Sequence, residues 1–364
     1  MLFFTGFPGF LGSELIRELL PKYPNQRAIC LIQSKFLTLA QEQKKRLPRE
    51  IHDRIEFVEG DLTLPQLGLS ANFLSEKSSL ITQIFHLAAV YDLNVKEDLA
   101  MRVNVMGTKN TLEFARLCPN LKRFQYVSTC YVSGRSKGTF LESDLSKNQK
   151  FNNFYESTKY LAEVEVQKAM HEGLPCSIYR PGIVVGNSHT GETQKFDGPY
   201  FVLQWLLRQP FKWAILPTVF AKDCSSENCV LDLVPSDFVI KSIAYLSQHE
   251  NTKNQVFQLA DVTPLRISEI IHEFERVLHK KIIKIPLPLS WARFFLKNIP
   301  FLEKWMGVPY SALNYFAHPT HYDVSNTLKH LQGSGIVIPH FKVYLPKLVN
   351  YMKANRNIRS KALT

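Results

Sequence analysis

Short apolar runs alternate with longer amphipathic stretches through the first half of the chain. The runs predict strands at residues 2–4, 28–32, 55–58, 84–87, 124–127 and 176–179. Between them, apolar residues recur with helical spacing over residues 11–20, 99–117 and 154–171. Because parallel strands need crossover connections, this alternation predicts an α/β fold, a doubly wound parallel sheet with helices on both faces.

The alternation loosens after Pro181. Here the pattern predicts helices at residues 200–208, 236–247, 267–278, 323–331 and 344–352, and strands at 230–233 and 256–259. We therefore expect a sheet domain over residues 1–180 and a smaller, mainly helical part over residues 181–364. No long flexible linker separates them, and segments around residues 229–260 are expected to pack back on the sheet.

The composition is that of an ordinary globular protein, with 45% hydrophobic and 21% charged residues in a chain of 364. No uninterrupted apolar run reaches the roughly 18 residues of a transmembrane helix. The six cysteines are scattered, mostly within apolar stretches, as in reduced intracellular proteins. We therefore expect a cytoplasmic protein.

The charge balance is basic, with 44 Lys and Arg against 32 Asp and Glu, a net charge of +12. This favours anionic partners, including phosphate-bearing cofactors and substrates. No aromatic-interleaved basic stripe or zinc-finger spacing accompanies the charge, so nucleic-acid binding is not expected. His318 and His321 have no third ligand nearby in sequence, and no metal site is expected.

A glycine-rich loop, Thr5-Gly6-Phe7-Pro8-Gly9-Phe10-Leu11-Gly12, follows the first predicted strand and opens directly into a helix. In this context Gly6 permits a tight turn, Gly9 lets the backbone approach a pyrophosphate, and Gly12 allows close packing of helix on strand. The helix N-terminus adds unpaired N–H groups. The loop predicts a Rossmann domain whose cofactor contacts are Thr5, Gly6, Pro8, Gly9, Phe10, Leu11 and Gly12.

The end of the second predicted strand bears on the choice of dinucleotide. An NAD site has a carboxylate here, about twenty residues after the glycine loop, to bond the adenosine ribose. This chain has Gln33, Ser34 and Lys35 instead, which can donate hydrogen bonds to a 2′-phosphate. Gln33 and Lys35 therefore favour NADP, with NAD as the alternative.

Tyr155 and Lys159 lie four residues apart on a predicted helix and so share one face. An ammonium near a phenol, together with an oxidised nicotinamide ring, favours phenolate, so we expect the pKa of Tyr155 to fall below its ordinary value of about 10. A tyrosine tuned in this way transfers protons near neutral pH. The fifth predicted strand ends at Ser128 and Thr129, whose hydroxyls would face the same crevice.

Seven motifs, taken in this order, resemble those of the extended short-chain dehydrogenase/reductases. They are the loop from Thr5 to Gly12, Gly60-Asp61-Leu62, His86-Leu87-Ala88-Ala89, Asn104-Val105-Met106-Gly107-Thr108, Ser128-Thr129, Tyr155 with Lys159, and Arg180-Pro181-Gly182. The resemblance implies an NAD(P)-binding domain over residues 1–180 and a substrate-binding part over residues 181–364.

Residue roles follow from that resemblance. It implies that Asp61 contacts the adenine and that Ala88 and Ala89 line the nicotinamide ribose. Asn104 would support the active-site helix, and Tyr155 would donate the proton. The other implied roles are Thr129, with Ser128 beside it, as the catalytic hydroxyl, Lys159 as the ribose ligand that tunes Tyr155, and Leu62, Arg180 and Pro181 as further cofactor contacts.

The second half resembles one branch of this superfamily, the male-sterility-type fatty acyl-CoA reductases and the thioester-reductase domains of carboxylic acid reductases and peptide or polyketide synthases. The supporting stretches are residues 191–200, 231–239 and 256–260. The resemblance implies an NADP-dependent oxidoreductase that reduces an acyl thioester or another lipid-like carbonyl.

Two other functions are compatible with the same motifs. One is a dehydrogenase, epimerase or isomerase of a sterol or nucleotide sugar, since the fold hosts those reactions too. Residues 200–217, with Phe, Trp and Leu and only Arg208 and Lys212 charged, favour a lipid-like substrate over a sugar nucleotide. The other is a non-catalytic dinucleotide-binding scaffold, which the presence of both Tyr155 and Lys159 disfavours.

Residues 287–302 form an apolar, aromatic and basic stretch. It could line an acyl tunnel, lie at a membrane interface, or pack as an ordinary core helix. The predicted helices at 99–117 and 154–171 could form a two-fold interface in a homodimer.

Overall fold

Fifteen strands are found in the computed structural model, which describes residues 1–220, 229–299, 301 and 310–358. They are β1 (Leu2–Thr5), β2 (Ala28–Ile32), β3 (Ile55–Glu59), β4 (Gln83–His86), β5 (Arg123–Val127), β6 (Gly138–Phe140), β7 (Cys176–Pro181), β8 (Ile183–Val185), β9 (Trp213–Phe220), β10 (Val230–Leu231), β11 (Leu233–Pro235), β12 (Gln255–Leu259), β13 (Leu265–Arg266), β14 (Lys281–Pro288) and β15 (Thr320–Tyr322).

Helices follow most of these strands in the same described ranges. They are α1 (Phe10–Leu19), α2 (Leu37–Lys45), α3 (Arg49–His52), α4 (Ala71–Lys77), α5 (Glu97–Ala100), α6 (Gly107–Arg116), α7 (Phe154–His171), α8 (Pro199–Arg208), α9 (Ser236–Leu246), α10 (Ile267–Leu278), α11 (Leu289–Asn298), α12 (Ser325–Leu331) and α13 (Phe341–Ala354). A π-helical turn, Met101–Met106, joins α5 to α6. The predicted helix at 99–117 is therefore interrupted by this wider turn.

Seven of the strands form one parallel sheet in the order β12-β7-β5-β4-β1-β2-β3. From β1 the sheet extends through β2 to β3 on one side, and β4 and the later strands lie on the other side. The loops that leave β1 and β4 therefore turn in opposite directions. A crevice opens there, at the carboxyl ends of the strands, and this is where doubly wound sheets bind ligands. The doubly wound α/β fold predicted from the sequence is confirmed.

The sheet is covered on both faces, which explains why its strands are continuously apolar. Successive residues of β1 point to opposite faces, and Phe3 and Phe4, both fully buried, belong to different hydrophobic clusters. α1 and α9 pack together over the Phe4 face. α6 and α7 pack together over the Phe3 face.

The chain returns to the sheet after residue 229. β12 pairs with β7 in parallel, from Gln255 opposite Ser177 to Leu259 opposite Pro181, and so becomes an edge strand. A third cluster lies in the C-terminal part and is formed mainly by α8, β9, α10, β14, α11 and α13. The strands β9 and β14, which pair in parallel over eight residues each, were not predicted.

Within the described residues, none of the helices has the length and apolar character that a membrane span requires.

Candidate active site

A cavity of about 690 Å³ lies in the crevice between β1 and β4. It is lined by every residue predicted for the site except Asn104 and Arg180. The lining residues of that set are Thr5, Gly6, Pro8, Gly9, Phe10, Leu11, Gly12, Gln33, Lys35, Asp61, Leu62, Ala88, Ala89, Ser128, Thr129, Tyr155, Lys159 and Pro181. Motifs far apart in sequence therefore meet at one place.

The glycine turn closes on the carbonyl of Gly6. Gly9 N donates to Gly6 O at 2.8 Å. A Cβ at Gly9 or Gly12 would lie 2.7 or 2.6 Å from that oxygen, and Gly6 itself has φ of +97°, so the turn excludes side chains. Within the part of the chain that the structure describes, no side chain caps the N-terminus of α1 at Gly9. The exposed N–H groups and bare backbone fit a pyrophosphate.

Gln33, Lys35 and Asp61 come together where β2 and β3 end. Burial acts to raise the pKa of the Asp61 carboxyl, but hydrogen bonds from the Thr63 backbone and hydroxyl, from Gln33, and the charge of Lys35 bring the pKa below its ordinary value. The Thr63 N–H and hydroxyl lie 2.8 and 2.9 Å from Asp61 Oδ1. Asp61 is therefore ionised, and Gln33 and Lys35, which can both donate hydrogen bonds, line the cavity beside it.

Tyr155 is on the first turn of α7 and is 9% exposed. Asn153 caps this helix by accepting from Glu156 N at 3.0 Å, which fixes the start of the turn. Burial raises the pKa of Tyr155 above its ordinary value, and a hydrogen bond with the Thr129 side chain opposes that shift. Thr129, rather than Ser128, is thus the hydroxyl that meets Tyr155.

Lys159 is buried and does not bond Tyr155 in the structure. Its Nζ donates to the Tyr126 hydroxyl at 2.9 Å and to the Val127 carbonyl at 2.8 Å. Burial lowers the pKa of Lys159 to about 7, against the charge of Glu163, which raises it. Burial therefore sets the direction of the Tyr155 pKa shift in this structure, with the ammonium bonded elsewhere, and a lowering of that pKa by Lys159 together with an oxidised nicotinamide ring stays a prediction.

Arg180 does not line the cavity, unlike the other cofactor contacts predicted from the sequence. It is fully buried and pairs with Glu163 at 2.5 Å. Glu163 also accepts from the Ser128 hydroxyl at 2.5 Å. A buried guanidinium needs a carboxylate partner, and this need explains why Arg180 turns into the protein while Pro181, next to it, lines the cavity.

Asn104 lies behind the cavity wall. Its Oδ1 accepts from Val90 N at 2.8 Å, and its Nδ2 donates to Thr158 Oγ1 at 3.0 Å. Thr158 is next to Lys159 on α7, so the amide ties the loop after β4 to the helix that carries Tyr155. This geometry agrees with a supporting role.

His86 links three elements beneath the site. Its ring contacts Thr5 Oγ1 at 2.7 Å and Thr108 Oγ1 at 2.9 Å. Thr108 donates to the Asn104 carbonyl, so its oxygen accepts from His86 Nε2–H, and Nδ1 accepts from Thr5. Burial, with a contribution from Lys159, lowers the pKa of His86 to about 3, and the ring is neutral.

Three cavity residues near Tyr155 were missed by sequence reasoning. The Tyr91 ring meets Tyr155 edge-on, with centroids 5.0 Å apart, and Lys195 Nζ lies 4.4 Å from the Tyr91 centroid. Lys195 also pairs with Asp197 at 3.1 Å. In the sequence, the extended loop at 191–200 stands out only as part of the family resemblance, because no local pattern shows that it lines the cavity.

No group of three or more potential metal ligands occurs among the residues that the structure covers. Cys224 and Cys229 are the two cysteines closest together in sequence, five residues apart, and Cys224 lies outside the described residues.

The strand order, the glycine turn and the meeting of Thr129 with Tyr155 define an extended short-chain dehydrogenase/reductase fold. Residues 4–243 match the NAD-binding family described as male sterility protein, and the chain belongs to that family.

Similar proteins include synthases and reductases. The chain is 30% identical over 283 residues to a linear gramicidin synthase protein of Brevibacillus parabrevis, covering 74% of this chain and 5% of that protein. It is 28% identical over 236 residues to a fatty acyl-CoA reductase of Drosophila melanogaster, covering 55% and 46%. The chain thus spans only part of the length of these relatives.

A solved structure is similar over nearly the whole chain. The terminal R domain from the myxalamid PKS-NRPS biosynthetic pathway is 26% identical, with a TM-score of 0.82, over 98% of this chain and 91% of that domain.

Proposed function

We propose that the protein is an NADP-dependent oxidoreductase that reduces the carbonyl of an acyl thioester. The observation that carries this proposal is the convergence of Thr129, Tyr155 and Lys159 on the cavity that also contains the glycine turn. The similarity to a fatty acyl-CoA reductase and to an R domain supports the thioester as substrate.

Bound NADPH would supply the hydride that adds to the thioester carbonyl carbon. Thr129 and Tyr155 donate hydrogen bonds to the carbonyl oxygen and stabilise the negative charge that develops there. Because burial raises its pKa, Tyr155 is protonated at neutral pH and can give its proton to that oxygen. The carbon–sulfur bond of the resulting hemithioacetal then breaks, and the products are an aldehyde and a thiol.

The preference for NADP rests on the residues where β2 ends. Residues 28–35 contain no carboxylate, and Gln33 and Lys35 face the cavity. Lys35 brings a positive charge to the place where an adenosine 2′-phosphate would bind. A lower KM for NADPH than for NADH in the assay below would support this preference.

Peripheral contact with an anionic membrane surface is a further part of this proposal. On α11, Trp291 and Phe294 are 61% and 63% exposed. The ranges 208–220 and 279–299, both described, carry several Lys and Arg residues and no Asp or Glu. Exposed aromatics among basic side chains suit the interface of an anionic bilayer.

The test of the reductase proposal is NADPH oxidation with a panel of acyl-CoA thioesters, using Tyr155→Phe. Loss of the proton donor should lower kcat by about 10²–10⁴-fold. Tyr160→Phe, on the same helix but outside the cavity lining, is the matched control and should match the wild-type rate. An unchanged rate in Tyr155→Phe would remove the mechanism, and NADPH binding without oxidation of any substrate would favour a scaffold.

A further inference from the structure

A second cavity, of about 490 Å³, lies inside the C-terminal part of the molecule. It is enclosed by α8, β9, α10, β14 and α11. One face of α10 forms a wall, because apolar residues recur there at helical spacing: Ile267, Ile270, Ile271 and Phe274.

The lining is almost entirely apolar and carries no charged side chain in the part of the chain that the structure describes. Among the described lining residues, the polar groups are the side chains of Gln209 and Thr218 and the indole N–H of Trp205. The Gln209 amide bonds the backbone of Ile215 in both directions, and Trp205 Nε1 donates to the Ile215 carbonyl at 2.8 Å. The second cavity therefore has little with which to recognise a charged or polar ligand.

A void of this size is not explained by packing. Protein interiors contain few voids larger than a water molecule, and an apolar void costs stability in proportion to its volume. Water gains little there, because it needs two or more polar partners. The volume lies within the usual range of ligand pockets, roughly 300–1,000 Å³. The cavity fits an apolar ligand.

The second cavity adjoins the active-site cavity. Leu231 and Phe316 line both. A ligand whose reacting group is held by Thr129 and Tyr155 would therefore reach the second cavity by passing between these two side chains.

We propose that the second cavity receives the unbranched hydrocarbon tail of the substrate, so that the enzyme acts on long-chain acyl thioesters. This inference rests on the proposed thioester reduction. The relatives of this chain include a reductase of glycine betaine, which has no such tail, so the assignment is specific to the cavity of this chain.

The assignment predicts a chain-length profile. Each methylene group buried in an apolar site contributes about 0.8 kcal/mol, which is about fourfold in kcat/KM. With butyryl-, octanoyl-, dodecanoyl- and palmitoyl-CoA as substrates, kcat/KM should rise steeply with length until the cavity is full. A flat or falling profile in the wild type would overturn the assignment.

Ala292→Phe tests the location of the tail. Ala292 is buried on α11 and faces the cavity, so a phenyl group there fills the space. Dodecanoyl- and palmitoyl-CoA should lose tenfold or more in kcat/KM, while butyryl-CoA stays within about twofold of the wild type. Ser290→Phe, two residues away and exposed, is the control and should keep the wild-type profile. Identical profiles in wild type and Ala292→Phe would overturn the assignment.

Binding can be measured without turnover, which separates this inference from the proposed function. Trp205 lines the cavity, so palmitic acid carrying bromine on its chain should quench its fluorescence in the wild type. Trp205→Phe should lose that quenching, and Ala292→Phe should weaken it. Quenching without any thioester reduction would contradict the proposed reaction but would still support binding of the tail in the second cavity. Quenching that persists in Trp205→Phe would place the acid elsewhere.

Discussion

Lys159 and Glu163 lie one helical turn apart on α7, and each is bonded to different partners. Lys159 donates to Tyr126 and Val127, and Glu163 bonds Ser128 and Arg180. Because both are buried, the charge of Glu163 supports the protonated form of Lys159 against desolvation. The residues that tune the site therefore include Arg180, which never reaches the cavity but fixes Glu163.

Asp232 shows the opposite case, a buried carboxyl with little to stabilise its charge. Burial raises the pKa of Asp232 from 3.8 to about 8; a hydrogen bond from Asp261 N opposes the shift, and the Asp261 charge adds to it. Between these two pH values the folded protein holds a proton that the unfolded chain has lost. The free energy of unfolding therefore falls as pH rises through this window.

Asp232→Asn should remove the fall in the free energy of unfolding with rising pH, because an amide is neutral and its oxygen still accepts from Asp261 N. We expect the variant to be more stable than the wild type at pH 8, by more than about 1 kcal/mol, and the difference to shrink toward pH 5. Urea unfolding at several pH values measures it. Asp98→Asn, at an exposed side chain, serves as the control. A difference that does not change with pH would contradict the burial argument.

At the scale of elements, the strand, glycine turn and helix formed by β1, residues 6–9 and α1 depend on one close approach. An added Cβ at Gly12 would lie 2.6 Å from Gly6 O, whereas the neighbouring Ser13 has a buried hydroxyl with no hydrogen-bond partner among the described residues. A side chain added at Gly12 would therefore collide with the turn, whereas removal of the Ser13 hydroxyl would break no hydrogen bond among the described residues.

Gly12→Ala should push α1 away from the turn and weaken NADPH binding by about tenfold or more, since overpacking costs about 1–3 kcal/mol. Ser13→Ala should bind as the wild type does. Titration of NADPH fluorescence compares the two. Equal affinities in both variants would show that the turn does not carry the pyrophosphate.

The elements that could be predicted from sequence are those with a local cause. The glycine turn, α7 with Tyr155 and Lys159, and the apolar sheet strands each have their signal within a few residues. The strands β9 and β14 have no such local signal. Lys281, Lys284 and Pro286 interrupt the apolar pattern of β14, and its partner β9 is distant in sequence. For the same reason Lys195 and Asp197 were missed, and the position of Arg180 away from the cavity was not predicted, since its partner Glu163 is on another element.

At the scale of the whole molecule, one group of exposed apolar side chains lies on the C-terminal part. Phe211, Trp213, Ile283 and Ile285 are exposed around β9 and β14, and the Phe211 and Trp213 rings stack 5.3 Å apart. Trp291 and Phe294 are exposed on α11, the helix that also closes the second cavity. An enzyme that takes long acyl chains gains from having its tail site next to a membrane.

This arrangement predicts that the protein binds vesicles of mixed phosphatidylserine and phosphatidylcholine, and that binding weakens with salt and is lost in pure phosphatidylcholine. Trp291→Ser with Phe294→Ser should reduce flotation with the vesicles several-fold, because the aromatic anchors are removed while the charge is unchanged. Val337→Ser with Val343→Ser, at side chains 78% and 65% exposed elsewhere, is the matched control and should float as the wild type does. A different outcome would assign this face to a second copy of the chain. In that case the wild type does not bind vesicles and sediments as a dimer, and the aromatic double variant sediments as a monomer. Because the acyl-CoA assays are run without lipid, reduction of soluble thioesters and attachment to the bilayer can succeed or fail independently.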